Sequence, residues 1–571
     1  MAFPGTALPL ASSSSLPSSS TISWGCALSW ASTRLALRQL GRAGGRGPAG
    51  NVVVSIRGCS APAIHGGAKR NSSTRVMAAL KDAEQAKESP SLKESLDMSV
   101  ASHDVLPPIK AHKRVVLVRH GESTWNAIGR IQGSSDFAVL TPKGVSQAET
   151  SRQMLLGDNF DSCFYSPLAR TKRTAEIIWD AREKPMVSLF DLREIDLYSF
   201  QGLYKQEGKD RYGENYRMWQ KDAANFEIDG HYPVRELWAR AQSCWQSILN
   251  SDGISILVVA HNAVNQALVA TATGLGPEYF RQLLQSNCGV SVLDFTPRMS
   301  GDLPPYVCLD RLNQTPSPPL IVSGGRKALT RVLLVCHGAT DSSIQRRFPA
   351  SANENVNVLG SIQSGKVAEL LLDVNVDVVL HGPGSCAKHT ADYITQVQEA
   401  ADCLGVNCLP RYVDTKELSG LRDMDWGEWQ GKPKESVVEP ERWQDYLQHE
   451  VVPGAESLSS LWERAGDAWQ TVLNELGNLA VSSDSDDPKE SKERTVVVVS
   501  HPTVHITMLA HCLGLSQAAL GSYHLDTGSL SVVDFPDGAS GRGIVRCLNY
   551  TAHLGRWAVP VTRPSLADED F

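Results

Sequence analysis

The chain has 571 residues, 42% of them hydrophobic and 20% charged, with a formal charge of −7. That length exceeds what one ordinary hydrophobic core fills, so more than one domain is expected. The acidic balance argues against binding nucleic acid by phosphate neutralisation, which needs clustered Lys and Arg, and no apolar run reaches the roughly eighteen residues of a membrane helix.

Residues 1–79 differ from the rest. Ser12 to Ser20 is mostly serine, arginines recur from Arg34 to Arg75, and the first acidic residue is Asp82. This Ser- and Arg-rich, acid-poor composition is that of a transit peptide, expected to be disordered, and Val76-Met77-Ala78-Ala79 points to a plastid as its destination. Residues 80–112, charged and containing Pro107-Pro108, read as a linker. From Lys113, apolar β-branched runs at 115–118 and 254–259 alternate with helical patterns at 144–156, 171–182, 235–250 and 262–273. Such alternation indicates βα units around a mainly parallel sheet. Leu237, Trp238, Ala241, Trp245, Ile248 and Leu249 share one helical face, which places these tryptophans in the core.

The first unit is taken as 113–311 and is followed by a Pro- and Gly-rich linker at 312–328. The pattern then restarts over 329–565, with strands at 331–335, 376–380 and 495–499 and helices near 363–373, 387–398 and 457–475. A polar acidic run, 482–488, reads as a solvated loop. The twelve cysteines show no metal-ligand spacing; Cys26 and Cys59 fall in the leader, and Cys403 and Cys408 are five apart. They are expected to act as small hydrophobes, with no cofactor, metal site or disulfide framework.

The most informative stretch is Val115-Val116-Leu117-Val118-Arg119-His120-Gly121, with Asn126 beyond it. It places a histidine where a parallel strand ends, the edge at which open α/β sheets bind ligands. Three further motifs follow in order: Ser166-Pro167-Leu168-Ala169-Arg170 with Thr174-Ala175-Glu176, Leu192-Arg193-Glu194 with Gln201-Gly202, and Val258-Val259-Ala260-His261-Asn262. Gly133, Leu140-Thr141, Gly144 and Gln147-Ala148 lie between them.

On these motifs the chain resembles the histidine phosphatase superfamily, also called phosphoglycerate mutase-like. The resemblance implies an α/β fold of two tandem domains, each a mainly parallel sheet with helices on both faces, and hydrolysis through a phosphohistidine. A phosphate monoester dianion repels nucleophiles, so the site must supply charge neutralisation, an aligned nucleophile and a proton for the leaving group. His120 is the expected nucleophile, since a neutral imidazole offers a lone pair without a metal. Arg119 and Arg170 are expected to clamp the phosphoryl oxygens, with His261 as a further donor. Glu194 is expected to protonate the leaving oxygen and later to take a proton from water. Asn126, Arg130, Gln132 and Gly133 are candidates for the substrate wall.

The second half reads as a stripped copy. His337 stands 217 residues after His120, in Val332-Leu333-Leu334-Val335-Cys336-His337-Gly338. Aligning Thr174-Ala175 with Thr390-Ala391 places Cys336 opposite Arg119 and Cys386 opposite Arg170, while His337, Asp423 and His501 stand opposite His120, Glu194 and His261. One lost donor to transition-state charge costs roughly 3–4 kcal/mol, so two charged donors should cost at least about 5 kcal/mol, which decides against turnover there. Both cysteines are expected to face the former phosphate pocket, too far apart to bridge without backbone movement.

Mutases of this family carry Arg-His-Tyr-Gly directly after the acid glutamate, whereas Glu194 is followed by Ile195-Asp196-Leu197-Tyr198-Ser199. Hydrolysis is therefore favoured over transfer. Lys205, Lys209, Arg211, Arg217 and Lys221 lie in a segment that reads either as a lid or as an exposed helical insertion; a cationic lid favours a sugar phosphate that also carries a carboxylate. A small-molecule sugar phosphate is the expected partner. A broad sugar-phosphate phosphatase and a non-catalytic phospho-ligand-binding or scaffold protein stay open as alternatives.

Overall fold

The computed structural model describes residues 106–299, 301–315, 320, 330–401, 412–437, 452–481 and 493–557. The expected leader 1–79, most of both linkers, the acidic run 482–488, Cys403 and Cys408 lie outside the described residues.

Strand β1, Lys113–Arg119, is apolar on both faces because both are covered. Val115 and Leu117 pack with Trp245, Ile256, Val258 and Leu268, and Val116 and Val118 pack on the opposite side with Ala175, Ile178, Leu257 and Val259. The first face is covered by helices Pro233–Leu249 and Asn262–Ala272, the second by helix Ala169–Trp179. Trp245 is fully buried and donates its indole N–H to the Leu268 carbonyl, while Trp238 donates to Leu275, so both tryptophans are core residues as expected.

The further strands are β2 Ser162–Tyr165, β3 Met186–Ser188, β4 Ser255–Ala260, β5 Val290–Thr296 and β6 Tyr306–Gln314 in the first half. The second half has β7 Thr330–Cys336, β8 Val378–His381, β9 Asp414–Glu417, β10 Arg494–Ser500, β11 Leu530–Phe535 and β12 Ile544–Tyr550. They form one twelve-stranded sheet in the order β3-β2-β4-β1-β5-β6-β12-β11-β7-β10-β8-β9. Each half contributes four parallel strands and two antiparallel ones, and the halves meet at the antiparallel pair β6 and β12. The mainly parallel halves were legible in the repeat; their union in one sheet was not.

The union shifts two expected boundaries. Strand β6 runs to Gln314, three residues into the stretch assigned to the 312–328 linker. At the other end, Leu106 and Ile109 of the expected 80–112 linker are buried in the core. That core is continuous across the seam, since it includes Leu283, Leu309 and Leu312 of the first half and Leu509, Leu513 and Leu548 of the second.

The seam is also polar, and its polar groups are paired. Arg311, with no exposed side-chain surface, donates to Asp526 at 2.9 Å, to the Asn549 carbonyl at 3.0 Å and to Thr551 Oγ1 at 2.9 Å. Asn313 and Asn549, each at φ 55°, donate across the seam to the carbonyls of Arg546 and Asp310 respectively. Removing one member of a buried ion pair leaves an uncompensated charge and costs roughly 3–5 kcal/mol. Arg311→Met is therefore expected to lower the unfolding free energy by about that amount in urea titration, with both halves losing structure in one transition because the core and sheet are shared.

Candidate active site

The register of the parallel pair β1 and β4 builds the site. Arg119 stands opposite Ala260, so the next residues, His120 and His261, leave the sheet side by side. Their rings lie 5.1 Å apart in a T-shaped arrangement, and the His120 N–H is anchored on the Ala260 carbonyl at 3.0 Å. Strand β2 ends beside them, where the Ser166 N–H donates to the Val259 carbonyl.

The turn after His120 depends on a close backbone approach. A Cβ on Gly121 would stand 2.3 Å from the Gly144 carbonyl oxygen, and one on Gly144 would stand 2.1 Å from that of Glu122. Only two glycines allow the loop to lie on the start of helix Pro142–Met154, whose cap is Thr141. The same fit recurs at Gly338 and Gly360 in the second half.

His120 is 2% exposed and its Nδ1 lies 2.7 Å from the Gly121 carbonyl. A carbonyl accepts only, so Nδ1 carries the proton and Nε2 keeps the lone pair. Burial, then the Arg170 and Arg119 guanidinium groups, hold this imidazole well below its ordinary value, against the bond to Gly121. The ring is thus neutral and single-tautomer at physiological pH.

Arg170 is 1% exposed and is held by two carbonyls: Nη1 donates to Ser135 at 2.7 Å and Nη2 to Gly133 at 3.0 Å. Arg119, partly buried, donates from Nη1 to the Gln285 carbonyl at 2.8 Å. Burial lowers both, Arg170 to about 10, so both stay charged at neutral pH. The Nε of each is buried without a hydrogen-bond partner among the described residues, and no described carboxylate forms an ion pair with either guanidinium. Glu194 acts on both guanidinium groups from beyond ion-pair distance, so the site holds two buried cations without a close anionic partner, where buried charge is ordinarily paired.

Glu194, 8% exposed, accepts from the backbone N–H groups of Ile195 at 3.0 Å, Ala263 at 3.0 Å and Val264 at 3.2 Å. Its carboxyl group is therefore fixed on the first turn of the helix that His261 begins, coupling the expected proton relay to the second histidine. His261 is fully buried, its Nε2 2.8 Å from Ser166 Oγ and 2.9 Å from Thr171 Oγ1.

The wall candidates separate. Asn126 Oδ1 caps the short helix Thr124–Ala127 by accepting from the Ser123 N–H at 3.2 Å and receives Asn287 Nδ2 at 3.4 Å. Asn287 also donates to the His120 carbonyl at 3.0 Å, which ties Asn126 to the histidine turn. Gly133 contributes its carbonyl to Arg170; its φ is +51°, and a Cβ there would stand 2.0 Å from Gln201 Oε1. Arg130 instead lies over the rings of Tyr204 at 4.4 Å and Trp125 at 5.4 Å, and Gln132 Oε1 is taken by the Ser123 hydroxyl at 2.8 Å. Neither is brought to the two histidines by a described contact.

Sequence reasoning missed the carbonyls that accept from the two arginines, and the braces behind them. Gln201 Oε1 accepts from the Ser134 N–H at 2.6 Å and so secures the loop that holds Arg170, and Asp136 caps helix Ala169–Trp179 through the Ala169 N–H at 2.6 Å. Gln201 sits in a quoted motif, yet a backbone-holding role leaves no signal in spacing. The segment after Leu203 is the helix Lys205–Lys221, which buries Tyr216 and Trp219 while its five basic side chains are exposed.

A family model described as the histidine phosphatase superfamily, branch 1, matches residues 115–300 and 332–546. The chain belongs to that superfamily. It is 56% identical over 472 residues to the 2-carboxy-D-arabinitol-1-phosphatase of Triticum aestivum, covering 82% of this chain and 92% of that protein. It is 54% identical over 462 residues to a probable 2-carboxy-D-arabinitol-1-phosphatase of Arabidopsis thaliana, covering 80% and 91%. Probable phosphoglycerate mutase GpmB of Salmonella typhi is 36% identical over 187 residues, 32% of this chain and 85% of that one.

The second histidine phosphatase segment keeps the frame of the site without its clamp. His337 Nδ1 lies 2.8 Å from the Gly338 carbonyl, its ring stands 4.6 Å from that of His501, and Asp423 Oδ2 lies 3.3 Å from His501 Nδ1. The two cysteines do not share the pocket as expected. Cys386 lies with His337 and His501, whereas Cys336 Sγ contacts His505 Nδ1 at 3.6 Å.

The sign of the pH dependence follows from the depressed histidines. As pH falls below the ordinary value of 6.5, the unfolded chain protonates His120 and His261 while the folded chain does not, so folding stability declines on the acid side. In Arg170→Met, the value for His120 is expected to rise yet stay below 6.5, because burial, the larger cause, persists. Nitrogen-15 NMR of histidine-labelled protein reads both the shift and the Nδ1–H tautomer.

Proposed function

We propose that the first half hydrolyses a sugar phosphate monoester through a phosphohistidine on His120. The observation that carries this reading is the pair of guanidinium groups, Arg119 at the end of β1 and Arg170 on helix Ala169–Trp179, neither in an ion pair with a described carboxylate, beside a histidine whose Nε2 lone pair is presented. A phosphoryl dianion supplies the missing charge, and Arg119, Arg170, His261 and the Asn126 amide are its donors.

Nε2 of His120 attacks phosphorus, the bond to the sugar oxygen breaks, and Glu194 in its acid form delivers the proton to that oxygen. Charge spreading over the equatorial oxygens meets donors whose orientation is already fixed by the carbonyls of Gly133, Ser135 and Gln285. Preorganised donors of this kind need no reorientation as the transition state forms. Water then attacks the phosphohistidine, Glu194 takes its proton, and inorganic phosphate leaves. No step calls on a metal.

The substrate we propose is 2-carboxy-D-arabinitol 1-phosphate, a tight-binding inhibitor of Rubisco, converted to 2-carboxy-D-arabinitol and phosphate. Two supports bear on it: the names of the wheat and Arabidopsis relatives, which this chain matches over nearly their full length, and the exposed cations of helix Lys205–Lys221, whose field favours a substrate with an added carboxylate. With the leader composition, this reading places the protein in the chloroplast stroma and links it to Rubisco through the inhibitor. The second half, without either guanidinium, takes no part in turnover.

Phosphate release from carboxylated and uncarboxylated pentitol phosphates tests the assignment. The carboxylated ester is expected to be the better substrate, and equal rates would turn the reading to a broad sugar-phosphate phosphatase. His120→Ala is expected to abolish turnover and the acid-labile phosphoenzyme; turnover surviving in that variant would falsify the nucleophile, whereas sugar phosphate bound without turnover by the unmutated protein would favour a binding protein. Arg170→Met is expected to lower kcat by about 100- to 1,000-fold, the usual cost of one lost transition-state donor.

A further inference from the structure

The stripped half contains a constellation that neither the family chemistry nor cysteine spacing accounts for. His337, Cys386 and His501 are 5%, 2% and 6% exposed, and one ligand atom from each lies within 4.8 Å of the others. We propose that this pocket is a binding site for a divalent transition metal of the zinc class, held by two imidazole nitrogens and one thiolate.

The free valences point the right way. His337 Nδ1 is occupied by the Gly338 carbonyl at 2.8 Å, which leaves Nε2 as its lone pair. His501 Nδ1 faces Asp423 Oδ2 at 3.3 Å, and its Nε2 is buried without a partner among the described residues. Metal-bound histidines almost always donate the other ring N–H to a carboxylate or a main-chain carbonyl, and here one imidazole has each kind. A Cβ placed on Gly384 would stand 3.5 Å from His501 Nε2 and 3.9 Å from Cys386 Sγ, so those two atoms converge on one backbone position.

Electrostatics separate this pocket from its counterpart. In the first half the neighbours that act on His120 are Arg170 and Arg119, which repel a cation. In the second half the charged neighbours acting on His337 are the carboxylates of Asp423 and Glu354, with Lys434 facing Asp423 from the other side. Replacing Arg170 by Cys386 thus exchanges a fixed cation for a soft ligand that becomes an anion on binding, its proton passing to solvent. Zinc–nitrogen and zinc–sulfur distances of about 2.0–2.1 and 2.3 Å put tetrahedral ligands roughly 3.3–3.6 Å apart, so the side chains close by about an ångström on binding. Two histidines and one cysteine suit zinc and leave the fourth position for water.

Cobalt(II) and zinc titrations of the full chain, stripped with chelator and kept reduced, test the site. One equivalent of cobalt is expected, with a thiolate-to-cobalt charge-transfer band and tetrahedral ligand-field bands, displaced by zinc. The band is expected to vanish in Cys386→Ser and to persist in Cys336→Ser and His120→Ala. Asp423→Asn is expected to weaken binding by about 10- to 100-fold. Should Cys386→Ser lose its circular dichroism spectrum without metal, His501→Gln carries the same test. The proposal is overturned if no stoichiometric metal is retained, if the band survives Cys386→Ser, if it depends on Cys336, or if bound cobalt lacks sulfur character, as it would at the oxygen-rich cluster of Asp310, His524 and Asp526.

Discussion

Arg170 is held by two main-chain carbonyls in a place where water scarcely reaches it, and Glu194 and Asp136 act on it electrostatically without forming an ion pair among the described residues. Much of the first half is arranged to make that state sustainable. Gly133 takes a left-handed conformation so that its carbonyl turns to the guanidinium, Gln201 holds the loop, and Asp136 caps the helix that carries the arginine. Burial first, and the same positive field second, keep the two buried histidines neutral, as the proposed nucleophilic role of His120 requires. The proposed clamp and the proposed nucleophile thus share one buried, positively charged environment.

The second half shows what that arrangement becomes when the arginines are absent. The strand register, the glycine contact behind the histidine and the paired rings all persist. The neighbours that set the pocket's charge do not, and carboxylates take the part of the guanidinium groups. A backbone can therefore be inherited intact while the ion it attracts changes sign.

The meeting of the two histidines at the strand ends was legible because it is written in local motifs: His120 and His261 each follow an apolar run, and parallel pairing brings such ends together. The covered faces of β1 and the helical stripe of Trp238 and Trp245 were equally plain. The antiparallel strands were not. Tyr306–Gln314 contains Asp310, Arg311, Asn313 and Gln314, the last two inside the stretch assigned to the linker, and all four are buried polar residues at the seam. The cross-seam partners of Arg311 and Asn313 lie more than two hundred residues away, so no local pattern announces them. The cluster of His337, Cys386 and His501 was hidden for the same reason, since metal-ligand spacing presumes neighbours in sequence. Arg130 and Gln132 misled in the other direction, being polar and near the motif yet engaged with Tyr204 and Ser123.

The crossed amides of Asn313 and Asn549 bear on why a half without phosphate-clamping arginines is retained at all. Each closes the terminal strand of its own half by reaching a carbonyl of the other. Excision of either half would uncover the survivor's outermost strand, exposing a raw sheet edge of the kind that recruits other chains into aggregates, with Arg311 left without Asp526 beside it in one case and Asp526 without Arg311 in the other. A covered edge is thus something each half obtains from the other, whatever chemistry either carries out.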